Sequence, residues 1–210
     1  MLRPETQMML NILDFVGAFA FSISGAMAAV KARMDYFGIF VLASVTTFGG
    51  GVLRDLLLNL PPVALFQTPT YLIVCVICTI LVMLVASHHI ELYMPIILIF
   101  DALGLAVFST IGTLAGIREN TPWYTCILLA VITGCAGGIM RDLLRQEKPM
   151  ILYSDFYAGL SILGSLLLIG CYVWGRFSLN IAVFLCCAFI FISRLTVLYL
   201  AKKKNKKNIS

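Results

Sequence analysis

The hydrophobic residues of this chain fall into seven long runs separated by short polar stretches. Each run holds about 20 residues, the length that an α-helix needs to cross the hydrocarbon core of a bilayer. The runs are continuously apolar, whereas the strands of a membrane barrel alternate between apolar and polar positions. The pattern therefore predicts an all-α membrane protein with seven spanning helices, at 8–30, 36–59, 68–87, 92–117, 122–145, 155–174 and 178–200.

Composition agrees with this prediction, and charge indicates an orientation. Of the 210 residues, 61% are hydrophobic and 12% are charged, about half the charged share of an average soluble domain. Five lysines lie in the segment 201–210, and basic segments stay on the cytoplasmic side of a membrane. We therefore expect the C-terminus in the cytoplasm and, seven crossings away, the N-terminus outside. The other basic residues agree: Lys31, Arg33, Arg145 and Lys148 fall inside, and Arg3, Arg118 and Arg176 fall outside. The lysines favour contact with the lipid bilayer, and their charge alone gives no support to nucleic-acid binding.

The sequence repeats itself when it is shifted by 87 residues without gaps. Glycine, proline and charged positions coincide in this one register. The coincident pairs include Asp14 with Asp101, Gly17 with Gly104, Phe21 with Phe108, Thr46 with Thr133, Gly50 with Gly137, Arg54 with Arg141, Asp55 with Asp142 and Pro62 with Pro149. We therefore predict two three-helix repeats, 8–91 and 92–176, followed by a seventh helix at 177–200 and a basic tail at 201–210.

Each predicted repeat makes three crossings, so the second repeat enters the membrane from the opposite side to the first. Inverted repeats of this kind are related by a pseudo-two-fold axis in the membrane plane, and they place a solute site between them near the midplane. The seventh helix has no counterpart in the other repeat. We expect it to serve oligomer contacts or to fix the tail inside.

Glycines lie near the middle of the second and fifth helices. The first run is Gly49, Gly50 and Gly51, and the matching run is Gly137 and Gly138. Two interpretations are open. Small residues let membrane helices pack closely, and glycines also permit a kink or an unwound turn whose freed backbone groups face a water-filled cavity. A run of three glycines, echoed in the other repeat, favours the kink.

Each repeat also carries an Arg-Asp pair after its glycines and an aspartate on a neighbouring helix. Charged groups inside a span are costly and therefore mark candidate sites. The six side chains are Asp14, Arg54 and Asp55 on the outer side and Asp101, Arg141 and Asp142 on the inner side. Helical rise places Arg54 about 7 to 10 Å below its surface, level with Asp14, so we expect these two to pair. Repeat symmetry predicts the same pair for Asp101 and Arg141, which makes the six residues candidate pore-mouth charges. The alternative is interfacial anchoring by snorkelling of the arginines.

No cofactor or metal site is expected. Cys75 and Cys78 have CxxC spacing, but no second ligand pair follows them in the sequence, and cysteine in a span behaves as a small apolar residue. His88 and His89 share a short loop, where a polar turn is the simpler interpretation. The sequence has no HExxH motif, no phosphate-binding loop and no recurring nucleophile and base, so we do not expect an enzyme.

At these motifs the chain resembles the prokaryotic TRIC (trimeric intracellular cation) channels and related bacterial inner-membrane proteins built from two glycine-transporter domains. The resemblance lies in SGAMAA at 24–29, GGGVLRD at 49–55 and AGGIMRD at 136–142, and it covers 14–174. It implies a homotrimer in the inner (plasma) membrane, with an hourglass pore in each protomer. The implied pore is lined by helices 1, 2, 4 and 5, is bent at the two glycine runs and passes K⁺ and also Na⁺.

Three functions compete at this point. A channel for K⁺ and Na⁺ is the leading hypothesis, because backbone carbonyls near the glycines can replace part of an ion's water shell while the aspartates raise the local cation concentration. The alternative is a secondary transporter of a small amino acid such as glycine, held by helix N-termini at a broken span and by a nearby aspartate. A scaffold that transports nothing has the least support, since the sequence has no long loop or soluble module.

Overall fold

The structure, a computed structural model, describes residues 4–60, 69–85, 93–154 and 156–207. This part of the chain contains seven α-helices and no β-strand. The helices are α1 (Pro4–Lys31), α2 (Tyr36–Leu57), α3 (Thr70–Val85), α4 (Tyr93–Arg118), α5 (Trp123–Leu144), α6 (Tyr157–Ile169) and α7 (Leu179–Lys207). A short 3-10 turn, Met150–Leu152, precedes α6, and a π-helical turn, Gly170–Trp174, extends it.

Six of these helices are long and apolar enough to cross a bilayer, when α6 is counted together with its π-helical turn as Tyr157–Trp174, and α3 is shorter than these spans. Its 16 residues make about 24 Å of helix, while positions 68 and 86–87 of the predicted third span lie outside the described residues, as does the predicted loop with His88 and His89. α7 continues to Lys207, so the described part of the predicted tail is helical, which corrects the boundary at 200. The predicted all-α membrane fold with seven helices is confirmed.

The backbone conformation just after the helices repeats with the same shift of 87 residues as the sequence. After α1, Arg33 adopts a left-handed backbone conformation with φ 56°, and Asn120, 87 positions later, does so after α4 with φ 52°. The ends of α2 and α5 show the same feature at Asn59 and Gln146. A left-handed residue just beyond a helix lets the following amides bond back to the last turn, and these amides do so in all four places. The two halves therefore share backbone geometry as well as sequence.

The first helix of each half lies at the centre of its half. α1 packs against α2, α3 and α4, while α4 packs against α5, α6 and α7. α2 and α5 also contact each other directly. Small residues make such close packing possible in a membrane, and α1 buries a series of them, namely Ala18, Ala20, Ala26, Ala28 and Ala29. The interface between the halves is thus built mainly from α1, α2, α4 and α5.

Contacts between the halves are reciprocal. Gly17 of α1 lies against the ring of Phe108, and Gly104 of α4 lies against the ring of Phe21. The two glycines are equivalent in the repeat, and so are the two phenylalanines, whose ring centroids are 5.1 Å apart. Exchange of equivalent contacts across an interface is the signature of a two-fold rotation. The helices at the interface are therefore related by a pseudo-two-fold axis, and a site on that axis is built equally from both halves.

Candidate functional site

α2 and α5 cross at their glycines, with backbone against backbone. A β-carbon on Gly50 would collide with the carbonyl oxygen of Thr133, and one on Gly137 would collide with the carbonyl oxygen of Thr46. These contacts exchange under the repeat, so the pseudo-two-fold axis passes through them. Each threonine hydroxyl donates at 2.6 Å to the carbonyl four residues earlier in its own helix. We call this contact, formed by 46–50 and 133–137, the glycine crossing.

The structure bears on the unwound turn but not on the kink. α2 and α5 are continuous α-helices through 49–51 and 137–138, so neither helix is unwound there in this conformation, and the expected kink stays a prediction. Gly50 and Gly137 instead provide close helix packing, and the two backbones leave no space for an ion between them here. A role of Gly49, Gly50, Gly51, Gly137 and Gly138 as hinges stays a prediction.

Asp101, Arg141 and Asp142 form one buried cluster, the second-repeat charge site. Nη1 of Arg141 donates to Oδ1 of Asp101 at 2.7 Å, and Nε of Arg141 donates to Oδ1 of Asp142 at 2.9 Å. The side chains of Asp101 and Arg141 are inaccessible to solvent, and that of Asp142 is 4% exposed. The expected pair of Asp101 with Arg141 is present. Ions buried to this degree require such partners, because desolvation costs several kcal/mol per ion.

Neutral groups complete the second-repeat charge site. Ser24, which belongs to the other half, accepts a hydrogen bond from the same guanidinium at 2.7 Å. Tyr157, at the start of α6, donates its hydroxyl to Oδ2 of Asp101 at 2.9 Å. Oδ2 of Asp142 accepts a hydrogen bond from the backbone amide of Met150 at 2.9 Å. This bond holds the segment that follows α5 against the end of that helix. All four carboxylate oxygens of Asp101 and Asp142 therefore accept a hydrogen bond from the protein.

Gly138 borders the second-repeat charge site. A β-carbon at this position would lie 3.1 Å from the hydroxyl oxygen of Tyr157 and 3.4 Å from Oδ1 of Asp101. The missing side chain thus lets α5 approach α4 and α6 closely enough for the ion pair to form. In this conformation the site is enclosed by protein, and its role at the mouth of a path stays a prediction.

Asp14, Arg54 and Asp55 hold the equivalent positions in the first half and form the first-repeat charge site. Nε of Arg54 donates to Oδ1 of Asp55 at 2.7 Å, as in the matching pair of the second half. The arginine side chain is 14% exposed, and Asp14 is half-buried. The expected ion pair between Asp14 and Arg54 is not formed, so that prediction is wrong.

Residues outside the repeated positions account for this difference. The acceptor Ser24 corresponds in the other half to Ile111, and an aliphatic side chain offers no acceptor. The donor Tyr157 corresponds to Thr70, which is exposed. Among the described residues, the ion pair of Arg54 is therefore with the carboxylate that follows it in the sequence.

α7 brings a buried arginine next to the second-repeat charge site. Arg194 is inaccessible to solvent, and its guanidinium carbon lies 4.5 Å from the ring centroid of Tyr157. Its Nη1 donates to the hydroxyl of Ser154 at 2.8 Å. Its Nε and Nη2 have no hydrogen-bond partner among the residues that the structure describes. Because α7 also packs along α4 and α6, it forms part of the wall of this site.

Sequence reasoning missed three residues of this neighbourhood. Ser24 stands in a run of small residues, where a packing role explains it equally well, and Tyr157 stands at the start of a span. Arg194 carried a usable signal, because a single arginine within the apolar stretch 179–200 is costly and marks a candidate functional residue. The prediction that α7 serves oligomer contacts or the tail overlooked this residue.

Comparisons with known proteins agree with this architecture. A family model described as Glycine transporter matches residues 11–87 and again residues 98–173. A UPF0126 membrane protein of Vibrio cholerae is 40% identical over 158 residues, which cover 75% of this chain and 66% of that protein. The UPF0126 inner membrane protein YadS of Escherichia coli K12 is 39% identical over 159 residues, which cover 76% of this chain and 77% of YadS. A crystal structure of the TRIC trimeric intracellular cation channel orthologue from Rhodobacter sphaeroides is 29% identical, with TM-score 0.86 over 91% of this chain and 98% of that one.

Proposed function

This chain belongs to the Glycine transporter family of membrane proteins, and from that premise we propose that it is a channel for monovalent cations in the inner membrane. K⁺ is the expected permeant ion, and Na⁺ also passes. The path runs through each protomer between the two halves and is lined by α1, α2, α4 and α5. The observation that carries the proposal is the close likeness in fold to the Rhodobacter sphaeroides TRIC cation channel orthologue over nearly the whole chain.

The pseudo-two-fold axis supports a path between the halves. Inverted repeats commonly place a solute site on such an axis, and the glycine crossing lies there. The carbonyl oxygens of Thr46 and Thr133 face the opposite helix at this point. If α2 and α5 separate, these oxygens face the gap, and carbonyl oxygens are the groups that replace the water shell of K⁺ in selective pores.

The first-repeat charge site supplies an attraction for cations. Asp14 is half-buried, and none of the ion pairs among the described residues includes it. A carboxylate in a cleft with low-dielectric walls raises the local concentration of cations. We therefore assign Asp14 to the entrance on the first-repeat side.

The present conformation corresponds to a closed channel under this proposal. One barrier is the glycine crossing, where the backbones touch. The second is the second-repeat charge site, which is enclosed by protein while Arg141 holds both of its aspartates. Conduction therefore requires α2 and α5 to move apart and the second-repeat charge site to rearrange.

Assembly and orientation are part of the proposal. We expect a homotrimer, the state named for the Rhodobacter sphaeroides orthologue, with a separate path in each protomer. We place the C-terminus in the cytoplasm, because Lys202, Lys203 and Lys204 are exposed at the end of α7 and basic segments remain on that side. Seven crossings then put the N-terminus outside.

A secondary transporter of a small amino acid such as glycine is the second candidate, and the description of the family favours it. Asp14 can pair with an ammonium group. A zwitterion also needs a site for its carboxylate, which broken helices provide through their N-termini. α2 and α5 are continuous in this structure, so that second site is not preformed, and the channel is the stronger proposal.

Planar-bilayer recording on the purified protein tests the proposal. In a KCl gradient we expect single-channel currents whose reversal potential lies near that of K⁺. Gly50→Leu, which fills the glycine crossing, is expected to lower the unitary conductance. Gly170→Leu is the matched control, because no heavy atom lies within 4 Å of the β-carbon position there. Correctly folded protein that carries no current but accumulates labelled glycine in vesicles would falsify the channel and establish the transporter.

A further inference from the structure

Arg194 lies in a place where a charge is expensive. It stands eight residues before Lys202, which puts it about 12 Å below the basic end of α7. It is inaccessible to solvent, and two of its three side-chain nitrogens lack hydrogen-bond partners among the described residues. A buried arginine in a span is a candidate functional residue unless its surroundings repay its desolvation. The only described groups that hold it are the Ser154 hydroxyl and the Tyr157 ring.

A continuous line of contacts joins Arg194 to the second-repeat charge site. Its guanidinium carbon is 4.5 Å from the ring centroid of Tyr157, within the range of a cation–π interaction. The hydroxyl of that tyrosine donates to Oδ2 of Asp101 at 2.9 Å. Oδ1 of the same aspartate accepts a hydrogen bond from Nη1 of Arg141 at 2.7 Å. Tyr157 therefore lies between two charged groups. The guanidinium of Arg194 packs against the face of its ring, and the carboxylate of Asp101 accepts a hydrogen bond from its hydroxyl.

We infer that Arg194 is a positioning residue that holds Tyr157 against Asp101 and thereby keeps the second-repeat charge site closed. This inference rests on the proposed function, since it assigns a gating role to a helix outside the repeat. Fixing the ring in one rotamer keeps both oxygens of Asp101 engaged, and Arg141 stays in place as a consequence. The first half has no pair equivalent to Arg194 and Tyr157, because the position equivalent to Tyr157 is Thr70 and α7 has no repeat counterpart.

Single-channel recording of four variants tests this chain of contacts. Tyr157→Phe keeps the ring and removes the donor, and Arg194→Gln removes the cation. Each is expected to raise the ratio of open to closed time by about tenfold, the scale of a hydrogen bond to a charged group for Tyr157→Phe and of a desolvated cation–π contact for Arg194→Gln, without changing unitary conductance. The double variant is expected to match either single variant, because both substitutions break the same line of contacts. Arg194→Lys, which keeps a cation over the ring, restores most of the wild-type behaviour.

Arg176→Gln is the matched control, since it removes one arginine from an exposed position, and it is expected to gate as wild type does. The inference is overturned if Arg194→Gln gates as wild type does, or if the double variant shows the product of two independent effects. The second result would mean that the arginine only supports the packing of α7.

Thermal unfolding tests the inference independently of channel activity. If no current is found, the proposed function is refuted, and the Tm shifts still decide on the role of Arg194. Among the described residues, the contacts that join Arg194 to Asp101 run through Tyr157, so Arg194→Gln and Asp101→Asn are expected to shift Tm non-additively. In a Tyr157→Phe background the two shifts become additive. Additive shifts in the wild-type background would overturn the inference.

Discussion

The two charge sites hold the same three residue types in the same order, but only one of them is enclosed. At the second-repeat charge site, Arg141 is inaccessible and bonds two aspartates and Ser24. At the first-repeat charge site, Arg54 is 14% exposed and bonds the aspartate that follows it. Repetition of the motif therefore fixes the local Arg-Asp pair and leaves the rest of each site to residues that do not repeat.

The glycine crossing, unlike the charge sites, is the same in both halves. Gly50 and Gly137 make the same contact with Thr133 and Thr46, and neither half contributes more than the other. Backbone contacts on the axis are thus shared equally, whereas side-chain partners away from the axis differ. The molecule has a symmetric constriction with an asymmetric pair of charge sites on its two sides.

The largest expected difference between the halves is in the cost of losing an aspartate. Asp101→Ala leaves the buried Arg141 with one carboxylate, and we expect it to lower the free energy of unfolding by about 3 kcal/mol. Asp14→Ala, at the equivalent position, is expected to cost less than about 1 kcal/mol because Asp14 holds no ion pair with Arg54. Reversible unfolding in detergent micelles measures the free energy of unfolding of both variants. Equal costs at the two positions would contradict the comparison.

The glycine crossing is expected to respond equally in both halves. A β-carbon at Gly50 or at Gly137 meets a backbone carbonyl that cannot rotate away, and overpacking of this kind costs about 1–3 kcal/mol. We therefore expect Gly50→Ala and Gly137→Ala to destabilise the protein by the same amount. Gly170→Ala, whose β-carbon enters open space, serves as the control. Unequal effects of the first two variants in the same unfolding assay would show that the crossing is not symmetric.

A smaller effect than that of Asp101→Ala is expected at Ser24, the partner that the first half lacks. Ser24→Ala removes one acceptor from a buried guanidinium, which costs about 1.5 kcal/mol for a hydrogen bond to a charged group. Ser193→Ala is a suitable control, because Ser193 is half-buried on α7 and its hydroxyl has no part in the network. Thermal unfolding distinguishes the two variants. Identical melting curves would mean that Arg141 is held by its aspartates alone.

Most of the fold follows from the sequence because its determinants are local or periodic. Apolar runs of spanning length specify the helices, and one ungapped shift of 87 residues identifies the halves. The left-handed residues that end α1 and α4, Arg33 and Asn120, also obey this shift. The length of α7 was underestimated because polar lysines mark the end of an apolar run and do not by themselves end a helix.

The candidate site was predicted only in part, for two physical reasons. Glycines satisfy both close packing and a broken helix, so the sequence pattern at Gly50 and Gly137 does not distinguish them. Symmetry predicts Asp14 with Arg54 as readily as Asp101 with Arg141, and the outcome depends on tertiary neighbours such as Tyr157 that only the three-dimensional arrangement reveals. Residues that a repeat shares are predictable from it, and their partners from outside the repeat are not.

The most direct test of the account compares the two equivalent aspartates in planar bilayers at low KCl concentration. Asp101→Asn weakens the enclosed site, so we expect a higher open probability with unchanged unitary conductance. Asp14→Asn removes an entrance charge, so we expect a lower unitary conductance with unchanged open probability. If both substitutions change the same parameter to the same extent, the two charge sites are functionally equivalent and the account is contradicted.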